Sequence, residues 1–576
     1  MDFYTGKRPF RGELPLSFSR KNESEQLLAD VRQYNKASDN RGLRNLRSFL
    51  SVVVGNPAFS AAKPVLHHLN NGDWVSAVDR AKSLLSHVYE THEEQFVFGQ
   101  IGAFIKKYPF PAMPQIAEAN GLRKFLNGER RNRHLNALMR RRRVGSNPVT
   151  GTLGVVPGQI LTDMRAYIHR LLGDRCALAS LVHHARWGPG AVVGVGGRFT
   201  NFARKFLSEE WTCTPAALPY FLTVAKRLPM FWERLGFRDP LDRGHGIICI
   251  DPEGFDDAAR KHIRLVAHNK ISMARKNCDE DRTIASEPLC NQLLQLGVDG
   301  DMKQRLKRFG IDLALQGPNQ LMAREGSLVD LGNRYCTIDL TNASGSIYTE
   351  LVRELVPPEW FLLLNSLRSP AWKYKGRCEV KYHGFASMGN GFCFPLETII
   401  FASICSAVHA YCGTAPDYRV YGDDIIIRQN EALVVLEVLR SLGFKANADK
   451  THIIGPFRES CGADWHCGKP VRPVYVDDDL GSFENLVRTH NALARLPNEW
   501  AGPLSNAVAR VMPSFANKFV RPFGCETDEA IDGRHWHGPR RGYYLWNKTH
   551  RCPAWYGLSF TAKADRTIGR HAQYHT

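Results

Sequence analysis

"DYRVYGDDIIIR", residues 417–428, sets two carboxylates side by side, Asp423 and Asp424, between two runs of strand-forming residues. Adjacent like charges repel, and each makes the other harder to ionise unless a cation lies between them. "YRVY" and "DIII" flank Gly422-Asp423, a glycine-first pair suited to a type II′ hairpin turn. The stretch reads either as a solvated hairpin tip or as half of a metal site, and the rest of the chain has to decide.

Upstream, "RYCTIDL" reads as a buried strand that carries Asp339 at its carboxyl end, where the chain turns into the helix "SIYTELVREL". That helix places Ile347, Leu351 and Leu355 on one face, and Pro357-Pro358 stops it. If this strand lies beside the hairpin, Asp339 faces Asp423 and Asp424 across one sheet edge. Three carboxylates without a cation are unfavourable; divalent ions with hard oxygen preferences, Mg²⁺ above all, relieve this and bridge carboxylates to phosphates. Two such ions about 4 Å apart activate an attacking hydroxyl and stabilise a leaving pyrophosphate. Alone, Asp339 is a helix N-terminal acid and "GDD" a polar turn; their combination, in order and on suitable elements, makes the case.

Other stretches add what a nucleotide needs. "ARKNCDEDRTIASEP" supplies Arg275, Lys276 and Arg282, cations suited to a triphosphate, although Asp279, Glu280 and Asp281 also fit a mixed-charge surface loop. "VKYHGFASMGNGF" is a strand running into a glycine-rich loop, where Ser387, Gly389 and Asn390 can approach a base pair and hydrogen-bond a ribose. "PLETIIFASICSAVHAY" is a helix, and "EALVVLEVLRSLG" is an amphipathic helix closed by Gly443. "ANADKTH" places Lys450 after a short strand, "FKAN", where an ammonium can protonate departing pyrophosphate or simply be solvated.

A chain of 576 residues with a formal charge of +19 predicts several subdomains and a polyanionic partner, nucleic acid first. The 14 cysteines include no CxxC pair, and "CGADWHC" (461–467) reads as structural. The N-terminal stretch lacks the apolar core of a signal peptide, no apolar run reads as long enough to span a bilayer, and a reducing cytosol fits best. "GLRKFLNGERRNRHLNALMRRRRVG" is basic: Arg140 to Arg143, with Arg130, Arg131 and Arg133 earlier, form a solvated helix end or a phosphate-binding helix. "RWGPGAVVGVGG" at 186–197 is a loop approaching a backbone closely and not a dinucleotide fingerprint. The chain ends basic and aromatic, with Trp536, Tyr543, Tyr544 and Trp546 either stacking on RNA or packing in a core.

With these residues in hand, the sequence resembles the catalytic β-subunit of single-stranded RNA phage replicases, the Qβ-type RNA-directed RNA polymerases. The matching stretches are "DRTIASEP", "TIDLTNASGSI", "ELVPPEWF", "LRSP", "SMGNGF", "YGDDIII" and "GPFRESCG", in order, between about residues 160 and 475. The resemblance implies an α+β right-hand polymerase with fingers, palm and thumb, an antiparallel palm sheet packed on helices. The expected division is 1–150, a helical region associated with the fingers; 151–330, fingers and the start of the palm; 331–455, the palm; and 456–576, thumb and basic-aromatic end. Asp339, Asp423 and Asp424 fall at the metal-binding palm aspartates and Lys450 near the general acid. Arg275, Lys276 and Arg282 fall over the triphosphate, and Ser387, Gly389 and Asn390 in the loop that checks template and ribose. Two Mg²⁺ ions are implied, with Mn²⁺ as a substitute. So are an RNA template and nascent RNA, nucleoside triphosphates, initiation without a primer, and the cytoplasm of an infected bacterium. Host elongation factors Tu and Ts, and in some members ribosomal protein S1, are implied partners; a membrane is not. Gly345 departs from the pattern, which has a second Asp there, and leaves Asn342, Ser344 or Asn390 to serve the sugar. Cys393 and Pro395 depart from it too. The rival readings are a reverse transcriptase, and a non-catalytic protein gripping single-stranded RNA.

Overall fold

The computed structural model describes residues 2–5, 21–36, 40–111, 113–144, 158–197, 200–237, 253–332, 334–521, 528–536, 545–547, 552–554 and 556–559. The chain divides into two compact units: Met1–Glu118 with Arg275–Glu280 and Pro470–Ala564, and Ala119–Ala274 with Asp281–Lys469 and Asp565–Thr576.

The first unit is mainly helical. The helix His92–Lys106 begins with a capping box, in which the Thr91 side chain and Glu94 satisfy each other's backbone N–H groups. Leu27 and Val31 pack with Phe483, Val487, Phe519 and Ile531, so both ends of the chain contribute to one core. Trp536 packs against this cluster, the core alternative for that aromatic; Tyr543 and Tyr544 lie outside the described residues. Buried His490 sits edge-on to Trp536, with ring centroids 5.5 Å apart, and its Nε2 has no hydrogen-bond partner. Burial lowers its pKa to about 4, against the opposing effects of Asn491 and Asp532. The unfolded chain therefore binds a proton that the folded unit refuses. Stability is full above about pH 6.5 and falls as the pH drops toward 4, by about 1.4 kcal/mol for each pH step of one crossed in that window. His490→Leu is expected to flatten this dependence in denaturant titrations at pH 7.5 and 5; an unchanged slope rules the account out.

The second unit begins within helix α1 (Pro114–Val144), at Ala119, and goes on to α2 (Gly158–Leu172). Strands β1 (His268–Arg275) and β2 (Asp281–Ser286) follow, then α3 (Leu289–Arg308), α4 (Gly317–Gly326) and β3 (Tyr335–Ile338). Next come α5 (Thr349–Leu355), α6 (Pro358–Leu367), β4 (Ala371–Tyr374), β5 (Val380–Lys381) and α7 (Cys393–Tyr411). The last are β6 (Tyr418–Tyr421), β7 (Asp424–Arg428), α8 (Ala432–Ser441), β8 (Phe457–Ser460) and β9 (Ala463–His466).

The hairpin β6–β7 forms as its sequence requires. Gly422 takes φ +62°, open to glycine and costly for other residues, and leads into the second turn position, Asp423. β7 is the middle strand of an antiparallel sheet in the order β3-β7-β6. Its run of isoleucines is apolar on both faces because both are covered. Ile425 and Ile427 join the main core with Val420, Leu396 and Ile400, while Ile426 packs with Met322, Ala323 and Tyr335 on the other side. A second sheet, ordered β2-β1-β4-β5, carries the glycine-rich loop: the Ala285 N–H of β2 donates to the Met388 carbonyl at 2.7 Å. The loop at 186–197 wraps the buried ammonium of Lys205, which donates to the Gly190 carbonyl at 2.6 Å and to Gln292 Oε1 at 3.0 Å.

Two expectations are corrected. "FKAN" forms no strand, only an isolated bridge from Ala446 to Leu340, because β3 ends at Ile338 and leaves one backbone pair to share. The helix Cys393–Tyr411 is apolar and long enough to cross a membrane by length and composition, yet 83% of its apolar window is buried inside the protein. Its apolarity follows from sitting in the middle of the main core.

Candidate active site

Strand register brings the carboxylates together. Ile425 pairs with Ile338 in antiparallel alignment, so the next positions outward, Asp424 and Asp339, leave the sheet at the same end. Beyond them the segment at 445–452 runs along the outer edge of β3, with Thr337 and His452 exchanging backbone hydrogen bonds. Asn447 grips Asp339 twice. Its N–H donates to the Asp339 carbonyl and its side-chain amide to Oδ2, both at 2.9 Å. Burial raises the Asp339 pKa, and Asp423 and Glu459 add to this against Lys450 and Asn447.

Asp424 is held by the turn whose sequence reads as structural. The Cys461 N–H donates to Asp424 Oδ2 at 3.0 Å from a left-handed backbone at φ +48°, between β8 and β9. Buried Arg458 anchors that hairpin, donating to the carbonyls of Tyr335, Gly455, Phe457 and Ile453 at 2.6–2.9 Å. Burial raises Asp424 to about 6, with Asp423 and Glu459 contributing and the Cys461 amide opposing. Asp423 therefore acts on both of the other aspartates. Lys450 Nζ lies 3.4 Å from Glu459, and its charge reaches Asp339.

Among the described residues, no group of three or more His, Cys, Asp or Glu forms a ready-made metal cage. Burial first, with the charges of Asp423 and Glu459 added, raises Asp339 and Asp424, and a nearby cation would favour their ionised forms.

A fourth acid, which sequence reasoning misses, stands behind the turn. Glu397 of α7 is buried and accepts a hydrogen bond from Ser344 Oγ at 2.5 Å. The Gly422 N–H donates to Thr398 Oγ1 at 3.0 Å, and a Cβ on Gly422 would come 2.4 Å from Phe394 and 3.3 Å from Glu397 Oε1. α7 is thus a rigid backing for the hairpin tip, tied through Ser344 to the chain that follows Asp339. Burial first and Asp423 second raise Glu397 to about 8, so it is mostly protonated at neutral pH. A lone acid inside "PLETIIFAS" is the available signal. Glu397→Ala leaves the Ser344 hydroxyl unpaired, a loss of about 1–3 kcal/mol, and is expected to lower kcat roughly 10- to 100-fold. Glu397→Gln should restore most of it in nucleotide-incorporation assays; equal losses in both variants would discard the positioning role.

The glycine loop is equally built. Glu287, the acid of "SEP", is buried and accepts from Asn269 (2.7 Å), Gln295 (3.1 Å), Ser369 (2.7 Å) and Ser387 (3.4 Å). Gly389 has φ +115°, and a Cβ there would lie 2.1 Å from the Ala285 carbonyl oxygen. Asn390 is buried, with Oδ1 accepting from the Phe392 N–H at 3.1 Å. The three cations are not gathered in one unit. Arg275 and Lys276 belong to the first, where Arg275 donates to the Lys107 carbonyl at 2.9 Å and Lys276 pairs with Glu280 at 2.9 Å. Arg282 is exposed on β2 in the second.

The departure at Gly345 has a steric counterpart. Asn342 adopts φ +59°, and its amide fills the space a Cβ on residue 345 would need, with Oδ1 2.5 Å and Nδ2 2.6 Å from that point. An acid at 345 and the present Asn342 conformation exclude each other.

An antiparallel hairpin that presents paired aspartates beside a third on the neighbouring strand, backed by helices and flanked by a glycine loop, defines a palm-type nucleic-acid polymerase. The chain matches the family model "RNA replicase, beta-chain" over residues 86–539 and belongs to that family, the RNA-directed RNA polymerases of single-stranded RNA phages. It is 30% identical over 492 residues to the RNA-directed RNA polymerase subunit beta of Qbeta virus (strain MX1), covering 84% of this chain and 77% of that one. To the beta chain of Escherichia phage MS2 it is 40% identical over 338 residues, 58% of this chain and 57% of that one. Among solved structures, the RNA-dependent RNA polymerase of a human picobirnavirus, in an insertion-loop deletion mutant, matches with a TM-score of 0.32 and 12% identity, over 63% of this chain and 96% of that one. As a polymerase of this class the protein handles an RNA template and nucleoside triphosphates, and template-directed polymerases use divalent metal ions.

Proposed function

We propose that this chain copies a single-stranded RNA phage genome by Mg²⁺-dependent nucleotidyl transfer, starting without a primer. The observation that supports it most is the register that sends Asp339 and Asp424 out of the sheet at one end, beside Asp423. Asp339, Asp423 and Asp424 would hold two Mg²⁺ ions, with Mn²⁺ as a substitute. When bound, such ions lower the pKa of the attacking 3′-hydroxyl and neutralise the leaving pyrophosphate. Cys461 and Asn447 fix the orientations of Asp424 and Asp339, and α7 keeps the turn from yielding. Lys450, oriented by Glu459, carries at Nζ the proton for the departing pyrophosphate. Arg282 of β2 binds the triphosphate, and the Ser387–Asn390 loop, braced by Glu287, checks the base pair and ribose. With Gly345 in place of an acid, the Asn342 amide takes over the sugar contact.

In this reading residues 331–455 are the palm, 151–330 the fingers and the start of the palm, 1–150 a fingers-associated region, and 456–576 the thumb and basic end. The relatives' designation as subunit beta denotes a part of a larger assembly. By family resemblance the partners are elongation factors Tu and Ts, with ribosomal protein S1 in some members, in the cytoplasm of the infected bacterium. The deciding measurement is UTP incorporation on an RNA template with and without primer, as Mg²⁺ is titrated and then chelated. Incorporation that survives chelation, or a preference for dUTP, would overturn the proposal.

A further inference from the structure

Away from the aspartates, the second unit has a half-open cavity of about 260 Å³ whose walls are strongly basic. Arg140 of α1, Arg353 of α5, Arg368 after α6 and Lys381 of β5 converge on it from four separate elements. Three carboxylates approach. Glu350 pairs with Arg353 at 3.3 Å, Glu129 accepts the backbone N–H groups of His383 (2.6 Å) and Gly384 (3.0 Å), and the charge of Glu287 reaches Arg368. The cations outnumber them.

The wall is rigid and its neutral groups are committed. The Asn136 amide donates to the His383 carbonyl at 2.8 Å and accepts from the Glu350 N–H at 2.9 Å, while Asn365 Oδ1 takes the Arg368 Nε–H at 2.9 Å. The guanidinium groups lie over aromatic rings, Arg353 at 4.3 Å from the Phe361 centroid and Arg368 at 5.2 Å from that of Phe385, which leaves their planes fixed. Arg368 Nη1 is shielded from solvent and has no hydrogen-bond partner. Burial draws Arg368 down to about 10, still a cation at neutral pH, and lowers His383, where Arg133, Lys381 and Arg140 act in the same direction.

The cavity is slightly below the usual span of small-ligand pockets, roughly 300–1,000 Å³, so it suits a phosphate and its sugar better than a whole nucleoside triphosphate. Arg130, Arg133 and Arg141 lie on the same helix as Arg140, with Arg133 about two turns before it on the same face, continuing the positive charge beyond the cavity. None of Asp339, Asp423, Asp424, Arg282, Ser387, Gly389 or Asn390 lines it.

We propose that Arg140, Arg353, Arg368 and Lys381 form a phosphate-binding site for the backbone of a single RNA strand, outside the reaction centre, with the neighbouring arginines of α1 extending the track. The test uses the full chain, a fluorescent single-stranded 12-nucleotide RNA and anisotropy over a range of salt concentrations. The Arg140→Ala/Lys381→Ala double variant changes two exposed side chains. It is expected to bind roughly 10-fold more weakly at 0.1 M salt and to reduce the slope of log K against log salt by about 1.4, that is about 0.7 per lost phosphate contact. Lys381→Glu alone should move both quantities in the same direction. Wild-type affinity and slope in the double variant would overturn the site. UTP that displaces the RNA from wild type and not from the double variant would overturn the strand assignment in favour of a free nucleotide. Because the readout is binding, the assignment of the reaction centre stands or falls separately, on incorporation by Asp423→Asn.

Discussion

Asp423→Asn is expected to reduce UTP incorporation on an RNA template by about three orders of magnitude or more, without destabilising the fold. The substitution keeps the shape of the side chain and removes the charge that acts on Asp339, Asp424 and Glu397. Metal-assisted stabilisation of the transition state is worth several kcal/mol, and about 1.36 kcal/mol corresponds to each tenfold in rate. The same change relieves repulsion in the cation-free protein, so the melting temperature in EDTA should be unchanged or higher. The two measurements have opposite signs, and that separates a lost charge from a damaged fold. Activity within tenfold of wild type would remove Asp423 from the reaction. A markedly lower melting temperature would show that its charge serves the fold.

Gly389→Ala should be nearly as severe for a different reason. The backbone there is at φ +115°, which L side chains rarely adopt, and the added methyl would overlap the Ala285 carbonyl oxygen of β2 at 2.1 Å. Backbone on both sides leaves no flexible side chain to yield. The loop must lift off β2, and the Ala285–Met388 hydrogen bond is lost with it. A displacement of about 1 Å in a positioning element can cost roughly 10²-fold in rate. Gly376→Ala is the control. Its φ is +73°, but nothing lies within 4 Å of the added methyl, so only the backbone strain remains. Steady-state incorporation with both variants, beside their melting curves, checks this. Equal effects at the two glycines would show that contact with β2 is unimportant.

Local chemistry carried much of the fold into the sequence. The hairpin at Gly422-Asp423, the helix stopped before Pro357-Pro358, the closure of α8 at Gly443 (φ +92°) and the strand ending before Asp339 all rest on turn preference and apolar period, which neighbouring residues set. "FKAN" misled because its alternation is real but its partner strand ends too soon. α7 reaches membrane length only by composition; the same apolarity serves the middle of a protein core.

The aspartates were legible because three charged residues at strand ends stand out in an apolar setting. What supports them was not. Asn447, Cys461 and Glu459 lie 108, 37 and 35 positions from the aspartates they hold or perturb, and Glu287 reaches Ser387 across 100 residues. No periodicity encodes contacts at such separations.

By itself, then, the sequence determined the family and singled out the candidate residues and their order, since residue type and short-range pattern are local properties. Tertiary structure alone decided that Asp424 and Asp339 leave one sheet edge together and that Glu397 stands buried behind the turn. It also decided that Asn342 occupies the room an acid at 345 would need. Each of these depends on strand register or on burial, and both are set by parts of the chain far apart in sequence.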